Sequence, residues 1–481
     1  MRRTRDETGA DYLQGAWHRR FGPAISSSED TRSAPPELFA TGRLRVRLPR
    51  NKTAETLSDS PARTFAIVFS LWLMVFTAAS QTIIVTPILP VIGQELNVGP
   101  GRLGLLVSVY SWLLAMAALI MGPISDRIGR RRVLLWGAGT LAVSLALHGF
   151  ADTFPTLLAM RALAGAAGGM LSGAAVSFVG DHFPYSRRGW ATGWVMSGVP
   201  FGLVIGIPVG RVLAVAYGFR MPFEVFAVVM AAAFVLILTV VPQPDVEREA
   251  EPVSITGSLR RYRRLLGESD VRVATATYFL MYFGLGLLVV YLPQWLTERF
   301  PLEMTLFGRP LEFFGLPFDF IAALFFLGGL AGVLAGPKAG TLSDRLGRKP
   351  IILASCVGLA VVTLILTWVV TERWVAFPVY IAIMVLFAMR MAPLQALLTA
   401  LVSARRRGTF LSLTIAIGQI GTGLGASLGG LLYADFGYRA NTVVSAIVVV
   451  LLALLVWKLL PEPPDDSREP GPEAVSAAPA A

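Results

Sequence analysis

The sequence predicts an all-α membrane protein in which twelve transmembrane helices form two pseudo-symmetric six-helix bundles. Three observations support this fold class. Of the 481 residues, 54% are hydrophobic and only 15% are charged, whereas about a quarter of the residues of a soluble domain are charged. The hydrophobic residues are grouped in long blocks. One phrase then occurs twice between such blocks, as GPISDRIGRRRVLL at 122–135 and GTLSDRLGRKPIIL at 340–353.

The hydrophobic blocks match the length of membrane-spanning helices, which need about 20 apolar residues. Twelve blocks can be counted, at 65–91, 101–121, 133–151, 154–180, 190–215, 221–242, 273–297, 319–338, 350–370, 374–403, 409–433 and 440–460. Helices of a soluble protein would need polar faces toward water, and these blocks do not supply them. The chain is therefore predicted to cross the membrane twelve times.

Basic residues in the short loops predict the orientation, because Lys and Arg in such loops remain on the cytoplasmic side. They follow the second, fourth and tenth blocks and fill the central loop, as Arg127, Arg130–Arg132, Arg187–Arg188, Arg405–Arg407 and RRYRR at 260–264. We therefore expect both termini in the cytoplasm and an integral protein of the inner or plasma membrane. The net charge of +11 is spread over these loops, which argues against nucleic-acid binding.

The repeated phrase belongs to a duplication of the whole helical region. Gly202 and Gly421 lie 219 residues apart, as do Arg187 and Arg406. The expected organisation is a disordered cytoplasmic tail at 1–62, six-helix halves at 63–242 and 273–460, a cytoplasmic linker at 243–272, and a second disordered tail at 461–481. Before the second copy of the phrase, the number of residues that separates corresponding positions of the two halves increases. This increase places an insertion near 300–318.

The loop after the second span carries Gly122, Asp126, Arg127, Gly129, Arg130 and Arg131, and the second half repeats it as Gly340, Asp344, Arg345, Gly347 and Arg348. Together with the two like halves, this motif resembles the major facilitator superfamily of secondary transporters. Glycine permits a turn that is too tight for a side chain, and the arginines hold the loop at an anionic membrane surface. The resemblance implies that this loop is a gating element that joins the halves on the cytoplasmic side.

Glycines recur at four-residue spacing in the fifth and eleventh spans, as Gly202, Gly206, Gly210, Gly421, Gly425 and Gly429. Such rows let helices pack closely. Their presence in both halves favours an interface between the halves, either static or moving. The fifth span also resembles the glycine-rich helix of drug–proton antiporters, except that Ile207 separates Gly206 from Pro208 where that family places proline directly after glycine.

Arg390 is the sharpest substrate-binding candidate, because it lies in the middle of the tenth span with no acidic residue at comparable depth. A cation there costs roughly 2.5–3.5 kcal/mol on insertion scales. It either faces the cavity and contacts substrate or is packed against backbone carbonyls. The other candidate lining residues are Arg161, Gln81, Tyr110, Tyr278, Tyr282, Gln294 and Gln395.

The resemblance implies a secondary active transporter of small molecules that works by alternating access, with efflux coupled to proton antiport. Proton-coupled members of this superfamily usually carry a titratable acid inside the membrane. Here the candidate proton carriers are peripheral, namely Asp126, Asp181, Glu224, Asp319, His148 and His182. Two alternatives remain open: an organic-anion or metabolite importer or exchanger that uses Arg390, and, more remotely, a membrane sensor that does not transport.

Enzymatic function is not expected. The chain has three histidines and the single cysteine Cys356, which provide no catalytic constellation and no metal site. No cofactor and no metal are expected. The expected partners are a small-molecule substrate, protons and the lipid bilayer, and the fold favours a monomer.

Overall fold

The computed structural model describes residues 60–244, 255–306, 309–313, 315–402 and 406–460. The predicted tails lie outside these residues, except at 60–62, where the first helix begins. The described part contains twelve helices long and apolar enough to cross a membrane, which confirms the predicted fold class. We number them spans 1–12 in chain order.

Most spans of the first bundle are interrupted. Span 1 comprises Pro61–Ile83 and Val85–Glu95, span 2 Pro100–Leu103 and Leu105–Ile128, span 3 Arg130–Leu147 with a 3-10 turn at His148–Phe150, and span 4 Phe154–Leu171 and Ala174–His182. Span 5 comprises Tyr185–Met196, Gly198–Phe201, a π-helical stretch Gly202–Gly206 and Ile207–Tyr217, and span 6 is Met221–Val240.

The second bundle has longer continuous helices. Span 7 comprises Ser269–Val289 and Leu292–Arg299, and spans 8 to 12 are Phe320–Leu346, Arg348–Val369, Arg373–Ala400, Arg407–Phe436 and Tyr438–Leu459. The packing repeats between the bundles: span 2 packs on span 4 as span 8 packs on span 10, and span 3 packs on span 6 as span 9 packs on span 12. The bundles meet where span 2 packs on span 11 and where span 5 packs on span 8.

Both copies of the repeated phrase turn at a glycine with left-handed backbone geometry. Gly129 has φ 96° and Gly347 has φ 95°, and side chains other than hydrogen are strained there. Each glycine separates two consecutive spans, which explains why the phrase falls between hydrophobic blocks. We call the membrane face that carries these two turns the motif side.

The predicted insertion near 300–318 forms two short antiparallel hairpins on the opposite face. Strand β1 (Thr305–Leu306) pairs with β2 (Arg309–Pro310), and β3 (Glu312–Phe313) pairs with β4 (Leu316–Pro317). β4 contacts the last helix of span 5. We call this face the hairpin side.

The predicted linker at 243–272 contains a helix, Ile255–Leu266, which we call the linker helix. Its arginines Arg260, Arg261, Arg263 and Arg264 are exposed, whereas Leu265 is buried. The Tyr262 hydroxyl donates to the carbonyl of Leu119 in span 2 at 3.4 Å. Partial burial raises the pKa of Tyr262 above its usual value, because the charged phenolate is disfavoured away from water.

Candidate substrate site and gating contacts

Arg161 lies inside the first bundle and joins three spans. Its side chain is fully buried, its Nη1 and Nη2 donate to the Gln81 carbonyl at 3.4 and 3.3 Å, and its Nε donates to the Leu106 carbonyl at 3.5 Å. The guanidinium also lies 4.2 Å from the centre of the Tyr110 ring. The Gln81 carbonyl is free to accept because the first helix of span 1 ends at Ile83, and the last carbonyls of a helix lack partners within it.

The side chain of Gln81 lies beside this arginine contact and has no hydrogen-bond partner in the described part of the chain. Its Oε1 and Nε2 are both buried without a hydrogen bond. Tyr110 of span 2 approaches Thr82, which follows Gln81 in span 1, with 3.3 Å between the two hydroxyl oxygens. The structure thus brings together three predicted residues, Gln81, Tyr110 and Arg161. An unpaired buried amide is costly.

Arg390 lies inside the second bundle and has no acidic partner among the residues that the structure describes. It is 1% exposed, and its Nε and Nη1 have no hydrogen-bond acceptor. Its guanidinium lies 5.1 Å from the centre of the Phe387 ring, with Cys356 and Tyr282 as neighbours. The Tyr282 and Tyr278 ring centres are 5.5 Å apart. Arg390, Tyr282 and Tyr278 therefore form a second cluster of predicted residues.

Two predicted residues lie apart from these clusters. Gln294 is near the hairpin-side end of span 7, where its Nε2 donates to Glu298 at 2.7 Å. Gln395 is exposed on span 10. Within the described part of the chain no hydrogen bond joins either glutamine to Arg390, so the structure places them outside the arginine clusters.

The first copy of the gating motif connects spans of its own bundle. Arg130 donates from Nε to Asp181 in span 4 at 2.9 Å and from Nη1 to Ser125 at 3.1 Å. Arg131 donates to the Leu238 carbonyl in span 6 at 2.6 Å. The surroundings of Gly122 and of the Asp126 side chain lie outside the described part. The predicted role of this loop in joining the two halves stays a prediction.

The second copy of the motif is more exposed. Asp344 and Arg345 are exposed, and Gly340 accepts a hydrogen bond from the Ser343 hydroxyl at 2.7 Å. The neighbouring Lys349 donates to the Leu460 carbonyl at 3.0 Å. The two copies thus share the turn geometry but differ in their side-chain contacts.

An ion pair that the sequence analysis missed crosses between the bundles on the hairpin side. Arg211 of span 5 donates from Nε and Nη2 to Oδ2 of Asp319 at 2.9 and 2.7 Å, and both side chains are buried. Sequence analysis placed Asp319 at a helix end and did not consider Arg211. A detectable signal was present, since Arg211 is a charged residue inside the apolar stretch that ends span 5.

Comparison with known proteins identifies the family. Residues 71–315 and 274–481 match the family model described as Major Facilitator Superfamily. The chain belongs to this superfamily. Its relatives include the multidrug resistance protein MdtG of Proteus mirabilis, 26% identical over 81% of this chain and 94% of that protein, and the MdtG of Citrobacter koseri, 28% identical over 84% and 97%. The uncharacterized MFS-type transporter YceJ of Bacillus subtilis is 25% identical over 81% and 96%.

Solved structures show the same fold at lower identity. A D-xylose–proton symporter matches with a TM-score of 0.67 and 17% identity over 83% of this chain and 98% of that one. The human organic anion transporter MFSD10 matches with a TM-score of 0.59 and 18% identity over 83% and 100%. The protein is therefore an integral membrane transporter of the superfamily that acts on small molecules.

The glycine rows do not lie at the interface between the two halves, where we expected them. Gly202, Gly206 and Gly210 face span 1 or span 6 of their own bundle, and Gly421 and Gly425 face span 7. Gly429 contacts Asn441 and Tyr291, also within the second bundle. The rows therefore allow close packing inside each bundle, because the spacing specifies a small-residue face without specifying the neighbour.

Other small residues form the interface between the bundles. A Cβ at Gly104 would come 2.2 Å from the Ala426 carbonyl oxygen, and one at Gly430 would come 2.9 Å from the Gly101 oxygen. The Ser108 hydroxyl donates to the Gly423 carbonyl at 2.6 Å, and the Tyr291 hydroxyl donates to the Pro100 carbonyl at 3.1 Å. These contacts all lie toward the hairpin side.

The two histidines among the candidate proton carriers lie in different surroundings. His148 is buried at the hairpin-side end of span 3, with Nδ1 2.7 Å from the Ser144 carbonyl and its ring 4.3 Å from the Phe223 ring. His182 stacks on Phe178 at the motif-side end of span 4. Both histidines lie in the first bundle, whereas Arg390 lies in the second.

Proposed function

We propose that this protein exports small organic molecules by alternating access, as a secondary active transporter coupled to proton antiport. The observation that carries the proposal is the pair of buried polar clusters, one in each bundle. Among the described residues, the Oε1 and Nε2 of Gln81 and the Nε and Nη1 of Arg390 have no hydrogen-bond partner. In transporters of this type substrate sites lie near the midplane between repeats. The likeness to relatives named multidrug resistance proteins supports export rather than uptake.

The proposal includes the orientation and organisation expected from the sequence. The motif side faces the cytoplasm, both termini are cytoplasmic, and the membrane is the inner or plasma membrane. The halves are 63–242 and 273–460, joined by the linker at 243–272, and the protein works as a monomer. The cross-bundle contacts described above lie toward the hairpin side, which corresponds to a conformer closed to the outside.

A second candidate function rests on Arg390. Two of its guanidinium nitrogens are buried without acceptors, and a carboxylate or other anion would supply them with charge-assisted hydrogen bonds. This observation favours an organic-anion or metabolite substrate. The two functions differ in the class of ligand that the second bundle recognises.

The first experiment measures the melting temperature of the purified, detergent-solubilised protein with organic anions, lipophilic cations and neutral metabolites. A ligand at a hundredfold excess over its Kd stabilises the native state by about 2.7 kcal/mol. Stabilisation by anions alone that is lost in Arg390→Ala and retained in Arg390→Lys supports the second candidate. Stabilisation by lipophilic cations in both the wild type and Arg390→Ala supports multidrug export.

Export and coupling are then measured in everted membrane vesicles. We expect a ligand found in the melting assay to accumulate inside the vesicles when their lumen is acidified. Collapse of the proton gradient by an ionophore should abolish the accumulation. Accumulation that is insensitive to the gradient would contradict proton antiport, and its absence for every stabilising ligand would contradict export.

A further inference from the structure

The ion pair between Arg211 and Asp319 fixes three elements to one another. Arg211 Nη1 donates to the carbonyl of Pro87 in span 1 at 2.8 Å, while Nε and Nη2 hold Asp319. The other carboxylate oxygen of Asp319 accepts from the Ala322 N–H at 2.9 Å and so caps span 8. Each polar group of the pair is therefore satisfied in this conformer, although the pair is buried.

The duplication shows what occupies the equivalent place in the other interface. Arg211 in span 5 corresponds to Gly430 in span 11, and Asp319 before span 8 corresponds to Gly101 in span 2. These two glycines also face each other, since a Cβ at Gly101 would lie 3.8 Å from the Gly430 carbonyl oxygen. At equivalent positions of the duplicated fold, spans 2 and 11 therefore make a backbone contact, whereas spans 5 and 8 are joined by an ion pair.

The rest of the contact between spans 5 and 8 is looser than that between spans 2 and 11. At Gly329 of span 8 a Cβ would meet the Leu203 carbonyl oxygen at 3.3 Å, whereas at Gly104 of span 2 it would meet the Ala426 oxygen at 2.2 Å. Span 5 is also π-helical over Gly202–Gly206, beside this contact. The ion pair is therefore the strongest specific contact that the structure describes between spans 5 and 8.

We propose that Arg211 and Asp319 form a gate on the hairpin side, whose separation is required each time the substrate site opens to that side. When the bundles move apart, water replaces the pair around both charges, so the closed state depends on the two partners being present together. Removal of one partner leaves the other charge buried and unpaired, which disfavours closure. The transport role of this gate rests on the proposed alternating access.

The test measures the distance between the bundles on the hairpin side without any substrate. Spin labels are placed at Tyr217, at the end of span 5, and at Glu372, before span 10, both exposed. The background carries Cys356→Ser, because Cys356 is the single cysteine. Double electron–electron resonance on protein in lipid nanodiscs then reports the populations with short and long distances.

We expect a mainly short distance for the unmodified gate. Asp319→Asn and Arg211→Leu should each raise the ratio of long to short distances by at least about tenfold, because each leaves one charge unpaired. Asparagine remains a good helix cap, so Asp319→Asn separates the ion pair from the capping of span 8. Arg211→Lys, which keeps the charge, should lie between Arg211→Leu and the wild type.

Arg220→Leu is the matched control. Arg220 also forms ion pairs on the hairpin side, with Glu95 at 3.5 Å and Asp152 at 3.0 Å, but all three residues belong to the first bundle. We expect no change in the distance distribution for this variant. Melting temperatures identify any variant that has not folded. Asp319→Asn is the variant for which we least expect misfolding, because asparagine can still cap span 8.

A wild-type distance distribution in folded Asp319→Asn and Arg211→Leu would overturn the gate. A change of equal size in Arg220→Leu would also overturn it, because the effect would then follow from the loss of any charge on the hairpin side. The measurement needs no substrate, so failure of the export assay would leave its result intact. Conversely, export by the wild type together with unchanged distances in the variants would refute the gate while the proposed function stands.

Discussion

Buried polar side chains in this protein differ in whether the protein itself satisfies them. Gln81 and Asn441 are both fully buried amides. The Nδ2 of Asn441 donates to the Leu287 and Gly429 carbonyls at 3.1 and 3.0 Å, and only its Oδ1 lacks a partner among the described residues. Gln81 lacks a partner there for both side-chain atoms. A hydrogen-bonded buried group contributes to stability, and an unpaired one reduces it.

We therefore expect Gln81→Leu to stabilise the protein by roughly 1–3 kcal/mol. Leucine is similar in size to glutamine, so the substitution removes the unpaired polar group and keeps the packing. If Gln81 binds substrate, the same variant should lose the rise in melting temperature that a ligand produces. Differential scanning fluorimetry measures both quantities. Asn441→Leu is the control and should destabilise the protein, since two backbone carbonyls lose their donor. Destabilisation by Gln81→Leu would contradict the assignment of this side chain as unpaired.

The first motif turn requires glycine, as the sequence predicted, because of its backbone conformation. Gly129→Ala should destabilise the protein by about 1–3 kcal/mol, because φ there is 96° and non-glycine residues are strained in this region. A Cβ would also approach Gln243 Nε2. Gly336→Ala, in span 8 with no atom within 4 Å of the added Cβ, should instead be neutral or stabilising. Chemical unfolding in detergent distinguishes the two.

At the scale of elements, the sequence predicted the spans because hydrophobic length is a local property. It did not predict the linker helix, because the run RRYRR alone resembles a solvated loop. The structure shows that Tyr262 contacts span 2 and that Leu265 is buried. It placed the glycine rows on helix faces but could not identify the neighbouring helix. The pairing of Arg211 with Asp319 joins residues 108 positions apart, and no local pattern reports such a contact.

The linker helix should detach from span 2 at alkaline pH. The pKa of Tyr262 is raised by partial burial, so the neutral phenol is favoured in the docked state. The resulting stability is complete below the ordinary tyrosine pKa of about 10 and is lost as pH rises through the raised value. The mobility of a spin label at Arg261 should therefore increase above about pH 10. Tyr262→Phe should remove this pH dependence, and an equal increase in that variant would contradict the role of Tyr262.

At the scale of the whole molecule, the two bundles are alike but their two interfaces are not. Spans 2 and 11 meet through backbone contacts at Gly104 and Gly430 and through the hydrogen bond from Ser108 to Gly423. Spans 5 and 8 meet through a buried ion pair. The duplicated fold thus joins its bundles on the hairpin side by packing along one interface and by charge along the other.

This difference predicts a variant that blocks closure without affecting charge. Gly430→Leu would place a Cβ 2.4 Å from the Tyr291 hydroxyl and 2.9 Å from the Gly101 oxygen, so the bundles could not meet on the hairpin side. We expect the labels at Tyr217 and Glu372 to show mainly the long distance, and export in vesicles to fall to background. Gly336→Leu, in open space on span 8, should keep both the wild-type distances and the activity. Because alternating access requires closure on each side in turn, full export by a Gly430→Leu protein that stays open on the hairpin side would refute that mechanism here.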